Sequence, residues 1–186
     1  MATATKTLVT LAEYRRMESD VPTELVRGEV IEVPPPVDRH GIYCANIVGL
    51  LWEWSPRQSK GVTFSNDTGL VVARNPDTLR GPDVMFLAKE RLPAGGFTGD
   101  WVQVPPDLVV EIRSPSERWA DVIDKVGQYL RSGVREVWVV NPPNKTLHVY
   151  RPEPDAEPTV LEQAAELTTD VLPGFRCTVG DVFAGL

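Results

Sequence analysis

The chain has 186 residues, 42% of them hydrophobic, and carries a formal net charge of −7. This length and composition predict one soluble globular domain, and no stretch approaches the roughly 20 consecutive apolar residues that a membrane-spanning helix needs. The opening MATATKTLVT has neither the basic start nor the apolar core of a secretory signal, so we expect a cytoplasmic protein with no membrane partner.

The acidic charge is concentrated near the C-terminus. Residues 151–186 hold two basic and seven acidic residues, which leaves a balance of −2 for residues 1–150. A negative net charge argues against a nucleic-acid partner, because backbone binding depends on Lys and Arg side chains that neutralise phosphates. Between residues 113 and 135, however, five basic residues outnumber three acidic ones. A solvated helix face explains this local excess equally well.

The N-terminal part predicts a helix, a hairpin and a second, longer helix. Thr10-Leu-Ala-Glu13 is a capping-box pattern that opens a short helix through Met17. Residues 24–33 predict a strand or a tight hairpin that turns at Gly28, and three prolines at 34–36 end it. From about residue 40 to 54, apolar residues recur at helical spacing, which indicates the first long helix.

Strands dominate the middle of the chain. Residues 61–65, 69–73 and 82–87 predict three strands, and the Gly- and Pro-rich residues 90–104 predict a mobile loop. A strand at 106–113, a helix at 117–131 capped by Ser114-Pro115-Ser116, and strands at 136–140 and 146–150 follow. We expect a single domain over 1–186, with an N-terminal helix and hairpin at about 10–34 and an acidic C-terminal extension at about 151–186.

The strand at 106–113 carries charged side chains on one of its two faces. Asp107, Glu111 and Arg113 alternate with Leu108, Val110 and Ile112, which predict a core-facing side. An ionised carboxylate removed from water without a partner costs several kcal/mol, so Glu111 must meet a cation or stay wet. A wet edge strand with a charge ladder and a functional site both satisfy this requirement.

Lys125 is a candidate partner for Glu111. The strand, helix and strand from 106 to 140 predict a right-handed crossover between parallel strands, in which the helix runs back along the first strand. Lys125 lies about 12 Å into that helix at roughly 1.5 Å per residue, so it could reach the face of Glu111. On spacing alone, pairing with Asp121 on the same helix is the favoured alternative.

An ordered series of motifs resembles a known family. The series comprises ELVRGEV at 24–30, His40, GPDV at 81–84, DLVVEIRSPS at 107–116, Lys125, QYLRSGVREVWVVNP at 128–142 and LPGF at 172–175. It is similar to the bacterial putative restriction endonuclease family of the PD-(D/E)xK, or restriction-endonuclease-like, superfamily, from about Leu11 to the end of the chain. The resemblance implies an α/β fold with an αβββαβ core, in which helices flank a mixed central sheet.

The resemblance also implies a metal site. In that family an aspartate and a glutamate on adjacent strands hold Mg²⁺ or Mn²⁺, and a lysine assists the attacking water. Carried over to this sequence, Asp83 and Glu111 are the metal carboxylates, the Ile112 carbonyl is a third oxygen ligand, and Lys125 is the catalytic lysine. The usual lysine position holds Arg113, which cannot lose its proton near neutral pH but can stabilise phosphate charge.

Three further side chains keep two interpretations each. Glu24 could supply a carboxylate for a second metal, or it could be a surface glutamate beside a turn. Asp107 could cap the start of its strand or act from outside the metal ligands. His40 could touch a substrate from its helix N-terminus, but a single histidine is more often structural, so we leave it outside the expected site.

The function implied by the resemblance is a metal-dependent endonuclease that hydrolyses phosphodiester bonds in DNA. We expect a homodimer, because cutting both strands requires two sites, and an RNA substrate stays open because the same site would serve it. The alternative is a catalytically weak or inactive copy of the fold that binds nucleic acid or protein, which Arg113 and the acidic C-terminal segment favour. The sequence shows no separate DNA-reading motif, so we expect target choice to come from loops such as 90–104 or from another protein.

Overall fold

The computed structural model describes residues 7–153 and 157–185. Residues 1–6, 154–156 and 186, which belong to the expected domain and its C-terminal extension, lie outside the described residues. The α-helices are α1 (Leu11–Tyr14), α2 (Asp38–Trp54), α3 (Trp119–Arg131) and α4 (Val179–Val182). The strands are β1 (Thr23–Val26), β2 (Glu29–Glu32), β3 (Gly61–Ser65), β4 (Leu70–Ala73), β5 (Thr78–Arg80), β6 (Val84–Ala88), β7 (Leu108–Ile112), β8 (Glu136–Asn141), β9 (Thr146–Tyr150), β10 (Thr159–Leu161), β11 (Glu166–Leu167) and β12 (Cys177–Thr178).

A small sheet forms from the N-terminal hairpin and the middle strands, in the order β2-β1-β5-β4. Arg27 and Gly28 both have positive φ angles, 52° and 77°, which is the two-residue turn that suits a right-handed twisted hairpin. A Cβ at Gly28 would lie 2.6 Å from the Cβ of Leu8, so the position also needs the smallest residue. The expected hairpin is thus confirmed.

The large sheet has six strands in the order β10-β9-β8-β7-β6-β3. Strands β7 and β8 are parallel and are joined by α3, whereas the other neighbouring pairs in this sheet are antiparallel. The mixed central sheet and the parallel crossover are therefore as expected. Because β7 is central and all its residues are buried, the interpretation of 106–113 as a wet edge strand is wrong.

Two apolar layers cover the faces of the large sheet. Leu108, Val110 and Ile112 of β7 belong to a core that also contains α2 side chains and the C-terminal segment. Val109, on the other face of β7, packs with Val122 and Tyr129 of α3. The period-2 alternation of β7 thus places Glu111 on the face covered by α3.

Several element boundaries differ from the sequence-based expectations. Helix α3 begins at Trp119 after an N-cap at Arg118 that makes no side-chain cap hydrogen bond, so the expected cap at Ser114-Pro115-Ser116 is wrong. The helix α1 ends at Tyr14 rather than at Met17. Within 90–104, Val102 is buried and exchanges backbone hydrogen bonds of 2.9 Å with Gly69 and Val71, so this end of the predicted loop is anchored.

The C-terminal segment does more than extend the chain. Leu167, Leu172 and Phe175 are buried in the same core as β7, and the helix α4 packs against α2. Strands β11 and β12 pair antiparallel beside them. In the part of the chain that the structure describes, no helix is both long and apolar enough to cross a membrane.

Candidate functional site

Asp83 lies directly before β6, where that strand starts beside the end of β7. Its Oδ2 accepts a hydrogen bond of 2.5 Å from the backbone N–H of Ile112, and its Oδ1 lies 3.1 Å from Nε2 of His40. Two elements therefore fix this carboxylate: the last residue of β7 and the first turns of α2. The sequence analysis left His40 aside, yet the structure places it in direct contact with the first expected metal ligand.

Glu111 is buried under α3 and has two partners from that helix. Lys125 Nζ lies 3.3 Å from Oε2 of Glu111, and the Tyr129 hydroxyl donates a 2.5 Å hydrogen bond to Oε1. Lys125 also lies 3.1 Å from Oε1 of Glu117, while Asp121 pairs with Arg118 at 3.9 Å. The alternative pairing of Lys125 with Asp121 is therefore wrong.

Burial and mutual attraction shift the pKa values of Glu111 and Lys125. Loss of hydration raises the pKa of Glu111 to about 7, against the lowering effect of Lys125 and with a further increase from nearby Asp83. The pKa of Lys125 is raised above its ordinary value, mainly by Glu111 and also by Glu117. Lys125 is thus a protonated ammonium near neutral pH, and it can donate hydrogen bonds but cannot accept a proton.

Glu24 turns inwards from β1 and is held by two groups. Its Oε2 lies 2.6 Å from Arg80 Nη1, and its Oε1 accepts a 2.8 Å hydrogen bond from the Gly81 N–H. Arg80 is itself buried and donates through Nε to Gln128 of α3 at 2.9 Å. Of the two interpretations of Glu24, the surface glutamate is therefore wrong.

Two residues that the sequence analysis did not select lie beside Asp83. Burial raises the pKa of the partly exposed Asp67 carboxyl, and Asp83 raises it further. A Cβ at Gly81 would lie 3.0 Å from the carbonyl oxygen of Asp67, so the glycine before the Pro-Asp pair lets this turn approach. The hydrogen bond to Asp83 raises the pKa of His40 to about 10.

His40, Cys44 and Asp83 form a group whose candidate ligand atoms lie within 4.8 Å of one another. The imidazole uses its two nitrogens in different directions, since Nε2 faces Asp83 and Nδ1 lies 3.6 Å from the Cys44 sulfur. Because Cys44 and Asp83 contact different nitrogens of the ring, an ion bound by Asp83 and Nε2 would not be bound by the Cys44 sulfur through that same nitrogen. Cys44 is instead placed to orient the ring.

Asp107 lies apart from this cluster, whereas Arg113 directly follows Ile112 and donates to the Glu117 carbonyl at 3.0 Å. Asp107 is at the opposite end of β7, where its carboxylate accepts from Ala88 N–H at 2.7 Å and pairs with Arg91 and Arg135 at 2.8 and 3.0 Å. Arg113 follows the end of β7, and its guanidinium donates to Asn141 at 3.2 Å. The structure thus brings together Asp83, Glu111, Lys125, Ile112 and Glu24. Asp107 instead forms structural ion pairs with Arg91 and Arg135.

A cleft of about 780 Å³ opens over this region. Its polar lining includes Glu24, His40, Asp83, Arg113 and Glu117. Glu111 and Lys125 lie outside that lining, although Glu117 connects them to it through its contact with Lys125. Of the two expected metal carboxylates, Asp83 is therefore the one that lines the cleft.

Comparisons with known proteins agree with this architecture. The sequence profile of the Uma2 family, described as putative restriction endonuclease, matches residues 11–180. A solved structure of a putative nuclease belonging to DUF820 from Anabaena variabilis ATCC 29413 has a TM-score of 0.80 and 23% sequence identity to this chain, over 94% of this chain and 97% of that one. At that identity the likeness shows a shared fold. No curated protein matches the chain.

Proposed function

This chain belongs to the Uma2 family of putative restriction endonucleases, and we propose that it is a metal-dependent endonuclease that hydrolyses phosphodiester bonds in DNA. The observation that carries the proposal is the contact between Lys125 and Glu111 beside Asp83. Two carboxylates at neighbouring strand ends and an ammonium from the crossover helix are the groups that this chemistry requires.

The donor set fits a hard divalent cation. Asp83 and Glu111 offer carboxylate oxygens, and Mg²⁺ is held in proteins by one or two carboxylates together with water and phosphate oxygens. Burial raises the pKa of Glu111 and nearby Asp83 raises it further, so a bound cation would favour the ionised form of both carboxylates. We propose Asp83, Glu111 and the Ile112 carbonyl as the residues that would hold Mg²⁺ or Mn²⁺.

Each residue of the candidate site would then have a separate role. When bound, the cation would supply a polarised phosphoryl oxygen and a more acidic water. Lys125, which is protonated, would orient that water or stabilise charge on the phosphate. His40 and the Ile112 amide would keep Asp83 in place, and Glu24, fixed by Arg80, is a candidate for a second cation. We propose that Arg113 contacts a phosphate, since arginine is a poor proton acceptor.

Cleavage of covalently closed plasmid at low salt tests the proposal. The wild type would be compared in Mg²⁺, Mn²⁺ and EDTA with Asp83→Asn, Glu111→Gln and Lys125→Met. Glu162→Gln, which removes the same charge from an exposed position, is the matched control. We expect metal-dependent nicking by the wild type and the control, and a loss of at least a hundredfold in the three site variants.

A second measurement separates binding from cleavage. A cation that binds only the native protein raises its melting temperature by mass action, so Mg²⁺ or Mn²⁺ should stabilise the wild type more than Glu111→Gln. Absence of both nicking and metal stabilisation would refute the nuclease function and favour the binding-module alternative. Substitution of an RNA substrate tests the choice of DNA, and light scattering at working concentration tests the proposed homodimer.

A further inference from the structure

The walls of the cleft over Asp83 are largely apolar. Seven prolines contribute to its lining: Pro22, Pro34, Pro35, Pro36, Pro115, Pro142 and Pro143. Four of them belong to two exposed segments, at 34–36 and 115, that face the cleft from separate parts of the chain. Proline has no backbone N–H, so this rim offers few hydrogen-bond donors to phosphate oxygens but a flat apolar surface to a ring.

An aromatic pair also lines the cleft. Tyr14 and Trp101 have ring centroids 5.9 Å apart, and both line the cleft as well as a second cavity of about 810 Å³ next to it. The Tyr14 hydroxyl donates to the Thr23 carbonyl at 2.7 Å. A Cβ at Gly69 would lie 2.5 Å from the Trp101 ring, so the missing side chain leaves room for the indole. The aromatic wall is thus held in position by its neighbours.

The cations in the cleft are few, and their contacts limit what they can bind. Arg80 is used by Glu24 and Gln128, and Arg113 donates to Asn141 and to the Glu117 carbonyl, which leaves Arg39 among the lining arginines. Binding of a duplex depends on many Lys and Arg side chains that neutralise phosphates along both strands. A cleft with so few arginines and a proline rim suits one or two phosphates with an attached base.

We propose that the substrate is a single-stranded or locally unpaired polynucleotide, with a base next to the scissile phosphate packed against Tyr14, Trp101 and the proline rim. Each of the two cavities lies within the roughly 300–1,000 Å³ range of pockets that hold small organic groups. Stacking on aromatic side chains is tolerant of sequence, because every base has a π-face. This inference rests on the proposed nuclease function, whose site supplies the phosphate end of the same cleft.

Fluorescence anisotropy in EDTA tests binding without cleavage. The probes are a fluorescein-labelled oligo(dT) of about a dozen nucleotides, which is within the usual range of single-strand sites, and a duplex of the same length. We expect the wild type to bind the single strand at least tenfold more tightly. Trp101→Leu should weaken that binding roughly 5- to 150-fold, the range for loss of one stacked base, whereas Trp101→Phe should restore most of it.

Two control comparisons keep the test decisive. Trp52→Leu removes an exposed tryptophan from α2 outside the cleft and should change nothing. If Trp101→Leu proves unfolded by circular dichroism, Pro115→Glu replaces it, since that residue is exposed on the rim; Pro152→Glu adds the same charge at an exposed position outside the cleft. We expect only Pro115→Glu to weaken single-strand binding.

The outcomes separate this inference from the proposed function. Equal affinity for single strand and duplex, or unchanged binding by both Trp101→Leu and Pro115→Glu, would overturn the inference even if plasmid is cleaved. Tight single-strand binding that depends on Trp101, without metal-dependent cleavage, would overturn the nuclease function and leave the base-binding wall standing.

Discussion

Lys125→Met should destabilise the protein through the charge that it leaves behind. Methionine keeps much of the side-chain length, so the main loss is the ammonium 3.3 Å from Glu111. Removing one partner of a buried ion pair costs about 3–5 kcal/mol, because the remaining charge has no compensation. That full cost is not reached here, because Glu111 in the variant can take up a proton. At pH 8, one unit above its pKa of about 7, the loss through this charge is limited to about 1.4 kcal/mol, so we expect the free energy of unfolding to fall by about 1–1.5 kcal/mol.

The loss in the free energy of unfolding caused by Lys125→Met should be smaller at lower pH. The pKa of Glu111 rises from an ordinary 4.5 to about 7 on folding, so folding takes up a proton between these values and stability falls as pH rises through that window. Lys125 lowers the pKa of Glu111, so its removal raises that pKa further and keeps Glu111 neutral to higher pH. At about pH 5.5 Glu111 is already mostly protonated, and we expect less than half of the loss seen at about pH 8.

Urea unfolding in EDTA at these two pH values measures the effect. Lys89→Met, which removes an exposed lysine, is the control and should stay within about 0.5 kcal/mol of the wild type. In the double variant Glu111→Gln/Lys125→Met most of the loss should disappear, because no buried charge is left. An equal loss at both pH values, or a loss that persists in the double variant, would refute the reasoning and assign the effect to packing.

Three more predictions follow from individual contacts. Arg113→Lys should not restore plasmid cleavage to Lys125→Met, because position 113 lies beyond the end of β7 and is directed to Asn141; recovery of nicking would contradict this. Asp107→Asn should lower the free energy of unfolding by about 2–4 kcal/mol in urea while the folded protein cleaves at the wild-type rate. Gly28→Ala should cost about 1–3 kcal/mol by the same assay, since φ is 77° and the added Cβ meets a neighbouring side chain.

The parts of the fold that repeat a pattern were readable from the sequence. The alternation in β7, the helical spacing in α3 and the glycine turn between β1 and β2 are local, and each predicted its element. Strand β5 was missed because Thr78–Arg80 is only three residues long and is stabilised by pairing with β1 and β4 rather than by its own pattern. The alternative of an edge strand failed for a related reason, since strand order is a property of the whole sheet.

The candidate site divides in the same way. Asp83 and Glu111 follow from motifs, because each is marked by neighbours in the sequence. His40 and Asp67 reach Asp83 from a helix and a turn that are distant in sequence, so only the tertiary fold brings them together. Tyr129 stands four residues after Lys125 on the same face of α3, and this spacing was a signal that could have identified it as a second partner of Glu111.

The crossover explains why the chain can carry arginine at position 113 and still present a lysine to Glu111. Helix α3 begins close to the end of β7 and runs back along it, as the parallel pairing of β7 and β8 requires. Lys125 lies six residues after Trp119, about 9 Å along the helix axis, and its long side chain spans the remaining gap. Residue 113 lies past the strand, where the backbone turns toward Asn141. The position of the Lys125 ammonium thus depends on the register of α3 against the sheet. A substitution that shifts this helix should therefore disturb the contact with Glu111 as much as a substitution of Lys125 itself.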